Sequence, residues 1–291
     1  VPTGPGLTNT DSRDFDAMVT RVIDRASIPG RHREPRLAEQ LTEGERVDVA
    51  TVHGSVAAWR VGEGPAVLLV HGWRDSARLW DPLMSELRGR GRAFVALDLP
   101  GHGFSEGERC LSDEVPDAVL AVAAALGPVD AAVAHSFASG GTALAVAEGV
   151  RVERLVLIAP PLAYRNPSDE SGDAADVGHQ RWRRIAKEMG FDPAVGDRAF
   201  DTYVARLEPS RASWDLTSGL ASLATDVLLV ASIDDERFDI ESARVLATHL
   251  LRGTLVELTG LDHRASARDA TAVDAIVDFV EHGIRTTRTA S

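Results

Sequence analysis

The chain has 291 residues, room for one large α/β domain or two small ones, and for a sizeable core either way. Forty-four acidic against thirty-one basic side chains leave a formal net charge of −13, with no Lys/Arg-rich run and one lysine, Lys187. Such a surface repels a phosphate backbone, so nucleic acid is excluded as an expected partner. The single cysteine, Cys110, excludes an internal disulfide, no Cys/His cluster has zinc-ligand spacing, and no run of about 18 apolar residues is present to span a membrane. Val1-Pro2-Thr3-Gly4-Pro5-Gly6 lacks the basic and apolar parts of a signal peptide, which makes cytoplasmic residence the expectation.

Residues 1–12, rich in Pro, Gly, Thr and Asn, have little to bury and are expected to form a disordered lead. From Asp14 the apolar residues Phe15, Met18, Val19, Val22 and Ile23 recur at helical spacing until Pro29-Gly30 stops them, predicting a helix packed on the main body. A short helix is expected around 37–41. Eight β-prone runs follow, at 47–52, 55–61, 66–70, 93–97, 131–134, 155–158, 227–230 and 255–258. His53-Gly54 joins the first two as a hairpin. From the third onward the runs are nearly continuous Val, Leu, Ile and Ala, the pattern of parallel strands covered on both faces. The expected architecture is a doubly wound α/β sheet with an antiparallel start, every strand-to-loop junction of which lies on one rim.

Between Pro160 and Asp226 no strand-like run occurs, and a structureless loop of that length inside a compact domain is improbable. Trp182, Ile185 and Met189 share helical spacing, as do Phe200, Tyr203, Val204 and Leu207. Residues 161–222 are therefore expected to be a helical lid, entered through the polar stretch 166–173. The remainder divides into a lead and helical extension, 1–46, and a core, 47–160 with 223–291.

Ala134-His135-Ser136-Phe137-Ala138 lies where an apolar run meets the small-residue helix that begins Ser139-Gly140-Gly141-Thr142. This has the form of a nucleophile elbow, in which a strained turn lifts a serine hydroxyl off the sheet edge and the residues two before and two after it must be small. Both are alanine here, in place of the usual glycine. Ser139 is a poorer candidate, because Phe137 stands two residues before it. His71-Gly72-Trp73 follows the third strand, Asp98-Leu99-Pro100-Gly101-His102-Gly103-Phe104-Ser105 the fourth, Asp234-Asp235 the seventh and Asp262-His263-Arg264 the eighth. A serine, an aspartate and a histidine thus leave strands five, seven and eight in that order. Asp262 is a poor partner for His263, since adjacent side chains on an extended segment point to opposite sides.

In this combination of motifs and their order, residues 47–282 resemble the α/β-hydrolase superfamily. The resemblance implies an eight-stranded, mostly parallel sheet with helices on both faces and a helical lid after strand six. It also implies a triad of Ser136, His263 and Asp235, the last lying three residues past Ser232, with Asp234 as the alternative acid. The serine needs an imidazole to take its proton, and the carboxylate fixes the tautomer and steadies the imidazolium. The backbone N–H groups of Phe137 and Trp73 are expected to stabilise the oxyanion. His71, His102, Asp98 and His135 are expected to brace the scaffold. Leu162, Trp182 and Phe238 are pocket candidates by position, Trp182 also as lid core. The expected activity is cleavage of small to medium, largely apolar carboxylic esters through an acyl-enzyme, with no metal or organic cofactor and a small ester-like molecule as partner. The oligomeric state stays open. So do lactone, thioester and carbon–carbon bond hydrolysis. A weakly active ligand-binding homologue is the alternative from another class, suggested by the alanines beside Ser136 and by Asp262 where glycine usually precedes the histidine.

Overall fold

A computed structural model describes residues 9–30, 37–161, 177–207, 211 and 216–284. Among these, one sheet of eight strands has the order β1-β2-β4-β3-β5-β6-β7-β8. The strands are β1 (Glu45–Thr51), β2 (Gly54–Val61), β3 (Ala66–Val70), β4 (Ala93–Leu97), β5 (Val129–His135), β6 (Arg154–Ile158), β7 (Asp226–Ser232) and β8 (Gly253–Leu258). β2 is antiparallel to both β1 and β4, and every later pairing is parallel. All eight expected strands are present. The hairpin turn sits one residue earlier than expected: Thr51 pairs with Gly54, so Val52-His53 turns the chain and Gly54 opens β2.

The nine α-helices among the described residues are α1 (Asn9–Ser27), α2 (Asp81–Gly89), α3 (Glu114–Leu126), α4 (Ala138–Ala147), α5 (Val177–Glu188), α6 (Pro193–Val204), α7 (Leu216–Ala221), α8 (Ile240–His249) and α9 (Ala270–His282). The short helix near 37–41 is a 3₁₀ turn at Glu39–Glu43. Asp192, Asp239 and Asp269 cap α6, α8 and α9, each accepting a hydrogen bond from the backbone N–H two residues on. Such a cap satisfies one of the N–H groups that a helix start leaves open.

Alternation along the strands builds two cores. Val67 and Leu69 of β3 face one side with Phe94, Val133, Ile158, Trp80 and Ile276, while Leu68 and Val70 face the other with Val95, Ala132, Leu157, Val115 and Val119. Both faces are apolar because each is covered by helices. None of the described helices is long and apolar enough to cross a membrane.

The chain divides into two compact units, Val1–Ile28 with Ser171–Ser213, and Pro29–Glu170 with Trp214–Ser291. In the first, α1 packs on α6 and α5. Arg181 of α5 donates to the Ala26 carbonyl (3.1 Å), and the Arg21 guanidinium lies 5.0 Å from the Phe191 ring centroid. These contacts are with the helices inserted after β6. The first helix begins at Asn9, inside the expected disordered lead. Residues 1–8 and the polar stretch 166–173 lie outside the described residues.

In the second unit, α4 meets α3 through Gly141. A Cβ there would stand 2.5 Å from Val115 Cβ and 3.1 Å from Pro116 Cδ. Alanine at a helix interior ordinarily gains about 1 kcal/mol over glycine. Overpacking costs about 1–3 kcal/mol. Gly141→Ala is therefore expected to lower the thermal midpoint by a few degrees, and a raised midpoint in a thermal melt would contradict this packing.

Candidate active site

β5 ends at His135, and the next residue takes a conformation that L-residues rarely adopt: Ser136 has φ 51°. Its N–H donates to the Ile158 carbonyl of β6 (2.8 Å), and its carbonyl accepts from the Ser139 N–H (2.9 Å), which turns the chain straight into α4. The turn closes because its surroundings are small. Ala134 and Ala138 are fully buried, and a Cβ at Gly72 would stand 2.8 Å from His135 Nδ1 and 3.2 Å from Ser136 Cβ.

Three side chains from three strand ends converge here. Ser136 Oγ lies 2.7 Å from His263 Nε2, and His263 Nδ1 lies 2.7 Å from Asp235 Oδ2. The other carboxylate oxygen of Asp235 accepts from the N–H groups of Arg237 (2.8 Å) and Phe238 (3.3 Å), which fixes its plane. Burial alone would raise the Asp235 carboxyl. The His263 hydrogen bond, the charge that the imidazole carries when protonated and the two N–H donors together outweigh burial and hold it below the usual aspartate value. It therefore presents a charged acceptor, Nδ1 carries the proton, and Nε2 is left to accept from the serine hydroxyl. Such a chain can move a proton off Oγ as that oxygen attacks.

Asp234 faces elsewhere. It is exposed, and its Oδ2 accepts the Gly260 N–H (2.6 Å). Asp262 accepts from the N–H groups of Arg264 and Ala265, closing the turn after His263. Trp73 and Phe137 are neighbours, with ring centroids 5.0 Å apart, and Phe137 is the N-cap of α4. The Phe238 ring lies 5.0 Å from that of His263. Trp182 stacks on Tyr203 (5.5 Å) within the core of the first unit. Leu162 lies outside the described residues.

His71 and His102 brace the loops around the site. Each buried ring donates from Nδ1 to a carbonyl, of Gly72 and Pro100 respectively, and accepts at Nε2 from a backbone N–H, of Leu99 and Arg74. Asp98 accepts from the N–H groups of Ala77 and Phe104. Two contacts carried no sequence signal. His135 Nε2 lies 2.9 Å from the His263 carbonyl, and Arg264 pairs with Asp75. The second joins residues 189 positions apart. Among the described residues no group of three or more His, Cys, Asp or Glu side chains could hold a metal ion.

Residues 67–278 match the Alpha/beta hydrolase family, and the chain belongs to it. It is 32% identical over 107 residues, 33% of this chain, to a pimeloyl-[acyl-carrier protein] methyl ester esterase of Nitrosospira multiformis. It is 31% identical over 115 residues, 37% of this chain, to an AB hydrolase superfamily protein of Bacillus subtilis. The matches cover 39% and 42% of those relatives, less than half their length. In fold it is similar to an esterase from Exiguobacterium antarcticum (TM-score 0.60, 15% identity, 81% of this chain and 100% of that one). It is also similar to the carboxylesterase CesB of Bacillus subtilis (TM-score 0.59, 15% identity, 94% of this chain and 99% of that one).

Burial pushes the imidazoles of His71, His102 and His135 down from 6.5, to about 4, 3 and 3. Below pH 6.5 the unfolded chain takes up protons that these folded rings refuse, so their contribution to stability is present above that pH and lost as pH falls. Burial works the other way on three carboxyls, raising Asp81 and Asp98, and raising Glu114 to about 7 against the pull of His53. Each neutral imidazole accounts for about 1.4 kcal/mol of stability lost per pH unit between pH 6 and 5, and the raised carboxyls oppose that loss. Urea midpoints across that interval test this. His102→Gln is expected to flatten the slope, and an unchanged slope would contradict a neutral buried ring.

Proposed function

We propose that this protein is a serine hydrolase that cleaves carboxylic esters of small to medium, largely apolar substrates through an acyl-enzyme on Ser136. The observation that carries this reading is the unbroken chain Ser136–His263–Asp235, both links at 2.7 Å. As Oγ attacks the ester carbonyl, Nε2 takes its proton, and Asp235 stabilises the imidazolium that forms. The negative charge on the tetrahedral oxygen meets the Phe137 N–H at the start of α4, with the helix dipole behind it, and the Trp73 N–H. His263 then gives its proton to the departing alcohol. Water attacks the acyl-enzyme by the same route in reverse, returning Ser136 and releasing the acid.

The rings of Trp73, Phe137 and Phe238 beside Ser136 and His263 support an apolar acyl or alkoxy group. The curated relatives named as methyl ester esterases support a small alcohol as leaving group. We assign residues 161–222 the role of lid, supported by their departure from the end of β6, next in the sheet to the strand that carries Ser136. Cytoplasmic residence belongs to the same proposal, as a compartment suited to a chain with one cysteine.

A fluorophosphonate probe and a series of nitrophenyl and methyl esters of increasing acyl length test the reading. Covalent labelling and turnover are expected in the wild type, with loss of labelling and a fall in kcat of about 10⁴-fold or more in Ser136→Ala and His263→Ala. Labelling that persists in Ser136→Ala would overturn it. Asp235→Asn is expected to lower kcat by about 10³–10⁴-fold, and Asp234→Asn to stay within about tenfold of wild type. The reverse order would move the acid to Asp234.

A further inference from the structure

The segment that carries His263 is gripped from two sides by groups outside the triad. On one side is His135, the residue before Ser136 and 4% exposed, its ring centroid 4.9 Å from that of His263. Its Nε2 contacts the His263 backbone carbonyl at 2.9 Å. A carbonyl only accepts, so Nε2 donates and Nδ1 is bare. Nδ1 is buried with no hydrogen-bond partner. A buried acceptor left open costs about 1–3 kcal/mol. An apolar side chain would fill this space without that cost, so the ring is retained for what Nε2 holds. On the other side Arg264 sends Nε and Nη2 to the two oxygens of Asp75, at 2.6 and 3.1 Å. Asp75 lies two residues after Trp73, and its side chain is 11% exposed against 58% for Arg264. A bidentate pair half open to solvent adds little to stability but fixes direction.

We propose that His135 and the Asp75–Arg264 pair are positioning residues for the ester hydrolysis assigned above, on which this inference rests. His135 ties the imidazole's backbone to the segment of the nucleophile. Arg264 ties the same backbone to the Trp73 loop. Together they keep Oγ, Nε2 and the Trp73 N–H in one register, where a displacement of about 1 Å costs about 10²-fold in rate.

The test compares His135→Gln, His135→Asn and His135→Leu. Glutamine carries its amide nitrogen about as far as Nε2, asparagine only about as far as Nδ1. His135→Leu and His135→Asn are expected to lower kcat and the fluorophosphonate labelling rate by about 10–100-fold with KM within threefold, and His135→Gln to recover most of the loss. His135→Leu is expected to keep its thermal midpoint, which a purely structural role would not allow alongside a lower kcat. Arg264→Met and Asp75→Asn are each expected to cost about 3–10-fold in kcat, and the double variant no more than the worse single one. Equal rates for Gln and Asn, or full kcat in His135→Leu, would overturn the role of His135. Should the His135 variants fail to fold, wild-type kcat in Arg264→Met and Asp75→Asn would overturn the proposal. Labelling and turnover that persist in Ser136→Ala would instead overturn the ester-hydrolase reading. Loss of both in Ser136→Ala, with full activity in the His135, Arg264 and Asp75 variants, would overturn this inference alone.

Discussion

The left-handed backbone of Ser136 is the constraint on which the rest of the site depends. An L-residue at positive φ costs about 1–2 kcal/mol. It persists only where the surroundings over-determine it. Here those surroundings are the hydrogen bond from Ser136 to Ile158 of the neighbouring strand and the immediate start of α4. They also require that nothing bulky approach. Gly72 lets the β3 loop pass beside His135 and Ser136, and Gly141 lets α4 lie against Val115 of α3, so the helix can begin where the turn needs it. Two glycines distant from each other in sequence thus serve one serine.

Four histidines cluster around that turn, and burial divides them by role. His71, His102 and His135 are held neutral, and a neutral ring offers one donor and one acceptor. His71 and His102 use both ends to tie loop to loop. His135 uses one. His263 alone has a carboxylate against one nitrogen and a hydroxyl against the other. The environment therefore sorts identical side chains into struts and a proton carrier, by depriving three of them of water and giving the fourth a charged partner.

The parts legible in the sequence are those written in local pattern. From β3 onward, nearly continuous Val, Leu, Ile and Ala runs mark the strands because both faces of the sheet are covered, and the order of Ser136, Asp235 and His263 follows from which strand each terminates. The preference for Asp235 over Asp234 rests on the family resemblance, which sets the acid three residues past Ser232, and in the structure Asp235 lies against His263 while Asp234 accepts the Gly260 N–H. What stayed hidden involves partners rather than patterns. The apolar stripe of Val19, Val22 and Ile23 announced a helix with one buried face, but such a stripe fits any apolar neighbour, and the one it meets is α5 and α6. The Arg264–Asp75 pair had no signature, since two charged loop residues far apart in the chain look the same whether they face each other or water.

Alanine in place of glycine on both sides of Ser136 raised the prospect of a crippled elbow, and the backbone answers it. Glycine has its backbone advantage where φ is positive, and in this turn φ is positive at Ser136, not at Ala134 or Ala138. Ala134 is an ordinary strand residue paired with Val70 and Leu157, and Ala138 is the first residue of α4. The demand at these two positions is therefore for small volume, and each methyl group packs into the core that contains Val115, Leu155 and Leu157. A methyl buried among apolar neighbours adds about 0.8 kcal/mol of burial that glycine would lack. On this geometry the alanines add apolar contact at the elbow and leave Oγ free to meet Nε2, so their presence gives no steric ground for expecting a feeble nucleophile.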